Sequence, residues 1–233
     1  MKARPLSIDR RAFVSGVSAL ACASSLRAQG NDVPIATTHG VTAHNVLVEK
    51  GSFQGRGALK LTEAPDKATD EEDKLALIDG ITFENGSIEV QIASQPKAGA
   101  GQGARGFAGI AFHVTPDKKK FECFYLRPTN GRADDQERRN HSVQYISFPD
   151  HPWHKLRAET PSKYESYADL QPAVWTPVRV EVNGDRARLY VLGASQPTLI
   201  VNDLKLGATK GSIALWIGPG TEAWFTGLKV TPD

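Results

Sequence analysis

Beyond about residue 40, apolar and polar side chains alternate with a period of two, in short runs separated by turn-forming residues. Ile88, Val90 and Ile92 share one parity, with Glu89 and Gln91 on the other. Val178, Val180 and Val182 stand against Arg179 and Glu181, and Ile213, Leu215 and Ile217 against Ala214 and Trp216. Successive side chains on a strand point to opposite faces, so this pattern describes half-buried strands. It predicts strands over 45–49, 58–62, 74–78, 87–93, 107–114, 121–127, 142–148, 178–183, 186–192, 198–201, 211–217 and 224–230. Asn183-Gly184 lies between two of these and predicts a tight hairpin. No amphipathic helical stretch of ten or more residues stands out. Many strands without helices predict an all-β fold, a two-sheet antiparallel jelly-roll sandwich with long surface loops.

Two kinds of segment break the alternation. Residues 94–106 are rich in glycine but lack a phosphate-loop pattern and a following helix, and they read as a hairpin connection. Residues 128–141 and 149–176 are long polar inserts. Loops of that length in a compact sandwich are usually functional or disordered, and Trp153, Tyr164, Tyr167 and Trp175 within them argue against disorder.

The 233 residues include 28 basic and 26 acidic side chains, a balance with no global bias toward nucleic acid. The charge is unevenly placed. Residues 1–28 hold Lys2, Arg4, Arg10, Arg11 and Arg27 against Asp9 alone. A short apolar stretch from Phe13 to about Ala23 follows the Arg10-Arg11 pair and is too short to span a bilayer. The run Ser7-Ile-Asp-Arg10-Arg11-Ala-Phe13 resembles a twin-arginine export signal, with Ala21-Cys22-Ala23 and Leu26-Arg27-Ala28 as cleavage options. A short amphipathic helix and lipid attachment at Cys22 are the alternatives. The expected division is a signal over 1–28 and one sandwich domain over 29–233, in the periplasm or secreted. Residues 29–233 then carry 23 basic side chains (28 less five) and 25 acidic (26 less one), net −2. Cys123 is the one cysteine left, which precludes an internal disulfide and suits export of a folded chain from a reducing compartment. No further stretch is apolar and long enough to span a membrane.

Strand parity suggests a site. In the run Phe107–Val114, Ile110, Phe112 and Val114 share one face, leaving His113 with Gly109 and Ala111 on the other. Small residues around a polar one suggest a floor that a ligand or a neighbouring strand approaches closely. In the next strand Tyr125 and Arg127 face away from Phe124 and Leu126, so His113, Tyr125 and Arg127 are expected on one open face. Glu122 points inward or reaches the edge. An ordinary solvated face is the alternative. The loop after this strand interleaves Arg132, Asp134, Asp135, Arg138, Arg139, Asn140 and His141. Guanidinium forks and carboxylates of this kind grip sugar hydroxyls or a substrate carboxylate, although such a run also serves as a salt-bridged loop. Trp153, Tyr164 and Tyr167 suit stacking on a sugar ring, whereas Trp216 and Trp224 read as core. His151-Pro-Trp153-His154 is a weak metal motif without a helix to aim it. No cofactor is expected, and a structural divalent ion is left open. The chain lacks a Glu-x-Asp-x-x-Glu strand, a Gly-x-Ser-x-Gly elbow, a zinc cysteine cluster and an EF-hand loop.

The run Gly106-Phe-Ala-Gly-Ile-Ala-Phe-His113, the run Lys120-Phe-Glu-Cys-Phe-Tyr-Leu-Arg127 and the ending from Gly211 to Val230 resemble the concanavalin A-like lectin/glucanase superfamily. Within it they are similar to the bacterial 3-keto-disaccharide hydrolase domain family over roughly residues 40–231. That family's Glu-x-Gln strand aligns with Ser142-Val143-Gln144, which keeps Gln144. The resemblance implies exported carbohydrate work, hydrolysis or elimination at a 3-keto-glycoside. The proton beside such a ketone is acidified, so one base and one polarising donor suffice. His113, His141 or Glu122 would supply the base, and Arg127 or Arg138 the donor. A non-catalytic lectin-like module and a partner-docking domain are the rival readings.

If residues 1–28 are a twin-arginine signal, changing Arg10→Lys together with Arg11→Lys should hold the protein in the cytoplasm. Cell fractionation checks this, and unchanged periplasmic delivery would refute it.

Overall fold

The computed structural model describes residues 1, 31–33, 40–67 and 73–233, with residues 31–33 described by their backbone alone. The expected export segment, including Arg10-Arg11 and Cys22, lies outside the described residues. In chain order the strands are β1 (Asn31–Val33), β2 (Val41–His44), β3 (Val46–Phe53), β4 (Arg56–Glu63), β5 (Leu75–Ile78), β6 (Gly86–Pro96), β7 (Ala108–Val114), β8 (Phe121–Leu126), β9 (Val143–Phe148), β10 (Glu165–Ser166), β11 (Thr176–Asn183), β12 (Arg186–Val191), β13 (Leu199–Val201), β14 (Ser212–Ile217) and β15 (Thr221–Pro232). Three short helices, α1 (Pro128–Gly131), α2 (Gln136–Asn140) and α3 (Trp153–Glu159), occupy the long inserts.

The strands form two antiparallel sheets. One runs β13-β12-β11-β6-β15-β4-β3, with β1 also against β15, and the other runs β10-β9-β8-β7-β14-β5-β2. The jelly-roll expectation is met. Asn183 pairs with Arg186, and Gly184 supplies the positive φ of 61° that the first central position of the intervening turn demands.

The period-two pattern decides what lies between the sheets. Ile88, Val90, Ile92, Val178, Val180 and Phe225 meet Ile110, Phe124, Ile213, Leu215 and Ile217 there. Glu89 and Gln91 turn the other way and are half-buried. The seven-stranded sheet has a second apolar face. Leu75, Ala111, Cys123, Tyr125, Ile146 and Trp216 form a separate buried cluster on its outer side.

Several sequence expectations are corrected. The Gly-rich segment is no hairpin connection. β6 belongs to the eight-stranded sheet and β7 to the seven-stranded one, so residues 97–107 cross between sheets. His113 leaves the face predicted for it. The β7–β14 register slips between Ser212 and Ala214, and His113 adopts a φ of 54° at that bulge. An extra residue on one strand inverts the parity beyond it. Val114 therefore joins the outer cluster, and His113 packs beside Phe83 and Phe112 with its Nε2 2.9 Å from the Glu84 carbonyl oxygen. Trp216 and Trp224 are both buried, but neither lies between the sheets. Trp216 is in the outer cluster, and Trp224 stacks on Phe53 at 3.9 Å on the other sheet's outer side.

Leu215 is fully buried between the sheets, so Leu215→Ala should destabilise the fold by about 2–5 kcal/mol. Chemical denaturation measures it. A loss below about half a kcal/mol, far under the usual cost of a core Leu→Ala change, would contradict the face assignment.

Candidate functional site

A cavity of about 780 Å³ opens on the outer face of the seven-stranded sheet. Its floor is set by one row of cross-strand neighbours. Tyr125 of β8 and Trp216 of β14 both pair with Gly109 of β7. A Cβ at Gly109 would fall on the Phe124 carbonyl oxygen and 2.6 Å from the Tyr125 Cα. With no side chain between them, the Tyr125 and Trp216 rings close over the glycine to 4.7 Å. Phe107 meets Tyr125 edge-on at 6.0 Å and extends the floor.

The walls come from two loops. The inter-sheet crossover contributes Gly99, Gly101, Gly103 and Ala104, and the segment after β9 contributes Pro149, Pro152, Trp153 and His154. Trp153 opens α3 and is 37% exposed. At the far end Glu63 is nearly buried and accepts a hydrogen bond from Lys97 Nζ at 2.9 Å, with Lys74 Nζ at 3.9 Å from the same carboxylate.

A charged network backs the Trp153 wall. Arg127 Nη2 donates to the Tyr125 hydroxyl at 2.8 Å, and its guanidinium lies over Phe107, Tyr125 and Trp153. Arg157, one helical turn after Trp153, lies over the same indole at 4.8 Å. Both arginines converge on Glu165. Arg157 donates through Nε at 3.0 Å and Nη2 at 2.7 Å, whereas Arg127 Nη1 stands at 3.8 Å. His141 Nε2 is 3.2 Å from the other Glu165 oxygen. Burial lowers the His141 pKa against the opposing pull of Glu165, which favours a neutral ring. Glu165 pairs with Gln144 across β9–β10, and Gln144 donates to the Tyr145 and Tyr164 carbonyl oxygens.

Of the residues singled out from sequence, Tyr125 and Trp153 line the cavity. Arg127 and His141 belong to the network behind it, and Gln144 lies beside that network on β9. The others stand apart from the lining. Glu122 points inward, accepting from the Tyr145 hydroxyl at 2.6 Å and the Leu206 amide at 2.7 Å, and burial raises its pKa. His113 is beside Phe83, and burial lowers its pKa. Arg132 forms a bidentate pair with Asp169, and Asp135 caps α2 by accepting from the Arg138 amide. Asp134 is exposed, and Asn140 accepts from Gln136. Arg139 donates to the Tyr167 hydroxyl, and the buried Tyr164 donates to Asp203 at 2.6 Å. The 132–141 loop therefore braces its neighbours and does not wall the cavity.

Sequence reasoning passed over Glu63, Lys97, Phe107, Arg157 and Glu165. Glu165 carries no local motif, since its partners lie 8, 24 and 38 positions away along the chain. Phe107 shares the parity of Gly109, whereas Trp216 reads as core in the sequence and sits in the cavity floor instead. Among the described residues, no group of three or more His, Cys, Asp or Glu side chains is placed to hold a metal ion.

No protein-family model matches the sequence, and no curated protein sequence does. Solved structures do share the fold. The carbohydrate-binding module CBM66 from Bacillus subtilis superposes with a TM-score of 0.57 at 15% identity, over 82% of this chain and 95% of that one. A protein of unknown function with a galectin-like fold, also from Bacillus subtilis, gives 0.54 at 10% identity, over 87% and 98%. The chain thus shares the fold of these structures, one of which is described as galectin-like.

Proposed function

We propose that this chain is an exported carbohydrate-active protein whose aromatic cavity holds a sugar. The observation that carries the reading is the floor itself, in which Tyr125 and Trp216 meet over Gly109 beneath the half-exposed Trp153. Flat apolar surfaces with a few fixed polar groups suit pyranose rings, whose faces are apolar and whose edges carry hydroxyls. Glu63 and Lys97 supply an acceptor and a donor at one end, and His154 a further polar group near Trp153. The volume falls in the range of roughly 300–1,000 Å³ usual for small-molecule sites. The carbohydrate-binding module that shares the fold adds a parallel, and the twin-arginine resemblance of residues 1–28 gives the exported setting.

The finer reading is turnover of a 3-keto-glycoside. The ketone at C3 acidifies the C2 proton. Glu63, Tyr125 and His154 are the proton acceptors in the lining, and we assign the base role to Tyr125, because Arg127 donates to its oxygen at 2.8 Å and stabilises negative charge there. The proton passes from C2 to the phenolate oxygen, and the electron pair forms an enolate with the C3 oxygen. Collapse of the enolate forms the C1–C2 double bond and breaks the C1–O bond, and the aglycone leaves as the alcohol with the proton that Tyr125 took. Water then gives its hydroxyl to C1 and a proton, through Tyr125, to C2, which completes hydrolysis. A binding-only module is the second reading, favoured by the five aromatic residues Phe107, Tyr125, Phe148, Trp153 and Trp216 in the lining.

Calorimetric titration and product analysis with 3-keto-glycosides and their parent glycosides test both. Trp153→Ala should weaken binding about tenfold, the equivalent of ~1.4 kcal/mol. Tyr125→Phe should keep binding and lower turnover by roughly 10²–10⁴-fold. Binding without product would select the lectin-like module, and unchanged binding in Trp153→Ala would move the site elsewhere.

A further inference from the structure

The two ends of the cavity differ in chemistry, and the difference bears on what the sugar carries. The cavity runs across the seven-stranded sheet. Phe148, Pro149, Pro152 and Trp153 belong to β9 and the segment after it, whereas Lys74, whose Nζ stands 3.9 Å from Glu63, directly precedes β5. Strands β8, β7 and β14 lie between β9 and β5, so four strand spacings, about 19 Å, separate the two backbones. A pyranose is a six-membered ring, about 3 Å across at ~1.5 Å per bond, with a rim of hydroxyls. One such ring over Trp216 and Tyr125 leaves the β9 end of the cavity to another part of the ligand.

Charged hydrogen-bonding groups are concentrated at the β5 end. There the Glu63 carboxylate is nearly buried and accepts from Lys97 Nζ at 2.9 Å, while the Lys97 side chain stays 39% exposed. At the β9 end the lining is Phe148, Pro149, Pro152, Trp153 and His154. Two of these five are prolines, which have no N–H to donate. The Pro152 carbonyl oxygen is taken by the Leu156 amide at 3.1 Å, and the neighbouring Asp150 carbonyl oxygen by Lys155 Nζ at 2.9 Å. Phe148 is fixed by stacking on Phe121 at 5.0 Å, and His154 meets the Trp153 ring edge-on at 5.6 Å. A second sugar at this end would give up water for rings and prolines and leave most of its hydroxyls without partners. An apolar ring in the same place gains by leaving water and by packing on other rings. Resting on the carbohydrate reading above, we infer that the cavity takes a glycoside with an aromatic aglycone. The sugar lies between the Glu63–Lys97 pair and Tyr125, and the aglycone lies against Phe148, Pro149, Pro152 and Trp153.

Matched ligands test this on the full chain by calorimetric titration. The probes are the methyl and phenyl glycosides of glucose and of galactose in both anomeric forms, and the disaccharides in which a glucose replaces the phenyl group. Each is tested as the parent sugar and as its 3-keto form. At least one phenyl glycoside should bind about tenfold more tightly than the methyl glycoside and the disaccharide of the same sugar and anomer, ~1.4 kcal/mol. Its heat capacity of binding should be more negative than that of the methyl glycoside. Trp153→Ala and, separately, Phe148→Ala should each cut affinity for that phenyl glycoside several-fold more than affinity for its methyl partner. Lys97→Gln should weaken both by the same factor. Circular dichroism melting identifies a variant that has lost its fold, and the wild-type ligand series stands without any variant. If no phenyl glycoside binds more tightly than its methyl partner, or if the disaccharide matches it, the inference is overturned and the carbohydrate reading is left intact. Equal losses for phenyl and methyl glycosides in both alanine variants would likewise overturn it. Absence of binding by every ligand would overturn both.

Discussion

Strands β7, β8 and β14 bury side chains on both of their faces. Ile110, Phe124 and Leu215 look toward the other sheet, whereas Ala111, Cys123, Tyr125 and Trp216 look outward and are equally withdrawn from water. An antiparallel sandwich usually leaves its outer faces solvated. Here the outer face needs a cover, and two loops supply one. The inter-sheet crossover lies on one side and the segment from Phe148 to His154 on the other, and the gap between them is the cavity. Gly109 makes the arrangement possible. Any side chain at that position would strike the neighbouring backbone and part the Tyr125 and Trp216 rings.

Glu122 on β8 and Glu165 on β10, with β9 between them, show how environment assigns roles to one residue type. Glu122 sits between the sheets with uncharged donors, the Tyr145 hydroxyl and the Leu206 amide, and it ties the 203–206 segment to β8. Burial raises its pKa, because its hydrogen bonds and the nearby Lys205 charge do not make up for the lost hydration. Glu165 is buried at the sheet edge with Arg127, Arg157 and His141 around it. A buried pair of this kind adds little net stability, but removing one partner strands a charge at a cost of about 3–5 kcal/mol. The network therefore holds Arg127, and through it the Tyr125 oxygen, in a defined place.

The sandwich was legible in the sequence because alternation reports which face of each strand is buried. Tyr125 and Arg127 fall where parity puts them, since β8 is regular from Phe121 to Leu126. His113 does not, because the bulge that turns it is a property of β7's register with β14 and leaves no trace in the local pattern. The Gly-rich segment defied a local reading for a related reason. Whether a connection is a hairpin or a crossover depends on which strands later pair with its two ends. Glu165 was illegible because its neighbours are assembled from β8, α2's end and α3. The aromatic residues of the inserts divided in the same way. Trp153 reaches the cavity from the start of α3, while Tyr164 is drawn under the sheet edge by its hydrogen bond to Asp203 and its packing on Tyr145.

Rigid strands and variable cover have different consequences for specificity. Changes on the strand floor are constrained from beneath, where Phe112, Phe124 and Leu215 fill the space between the sheets. Changes on the cover are constrained far less, since an added Cβ at Gly101 or Gly103 of the crossover meets nothing within 4 Å. Shared architecture with other sandwiches therefore says little about the ligand, because the floor is what such folds have in common and the cover is where they differ. In this chain the cover lines the cavity with Phe148, Trp153, His154 and Lys97. Its chemistry, set against the apolar floor, is what distinguishes this cavity from a plain hydrophobic cleft.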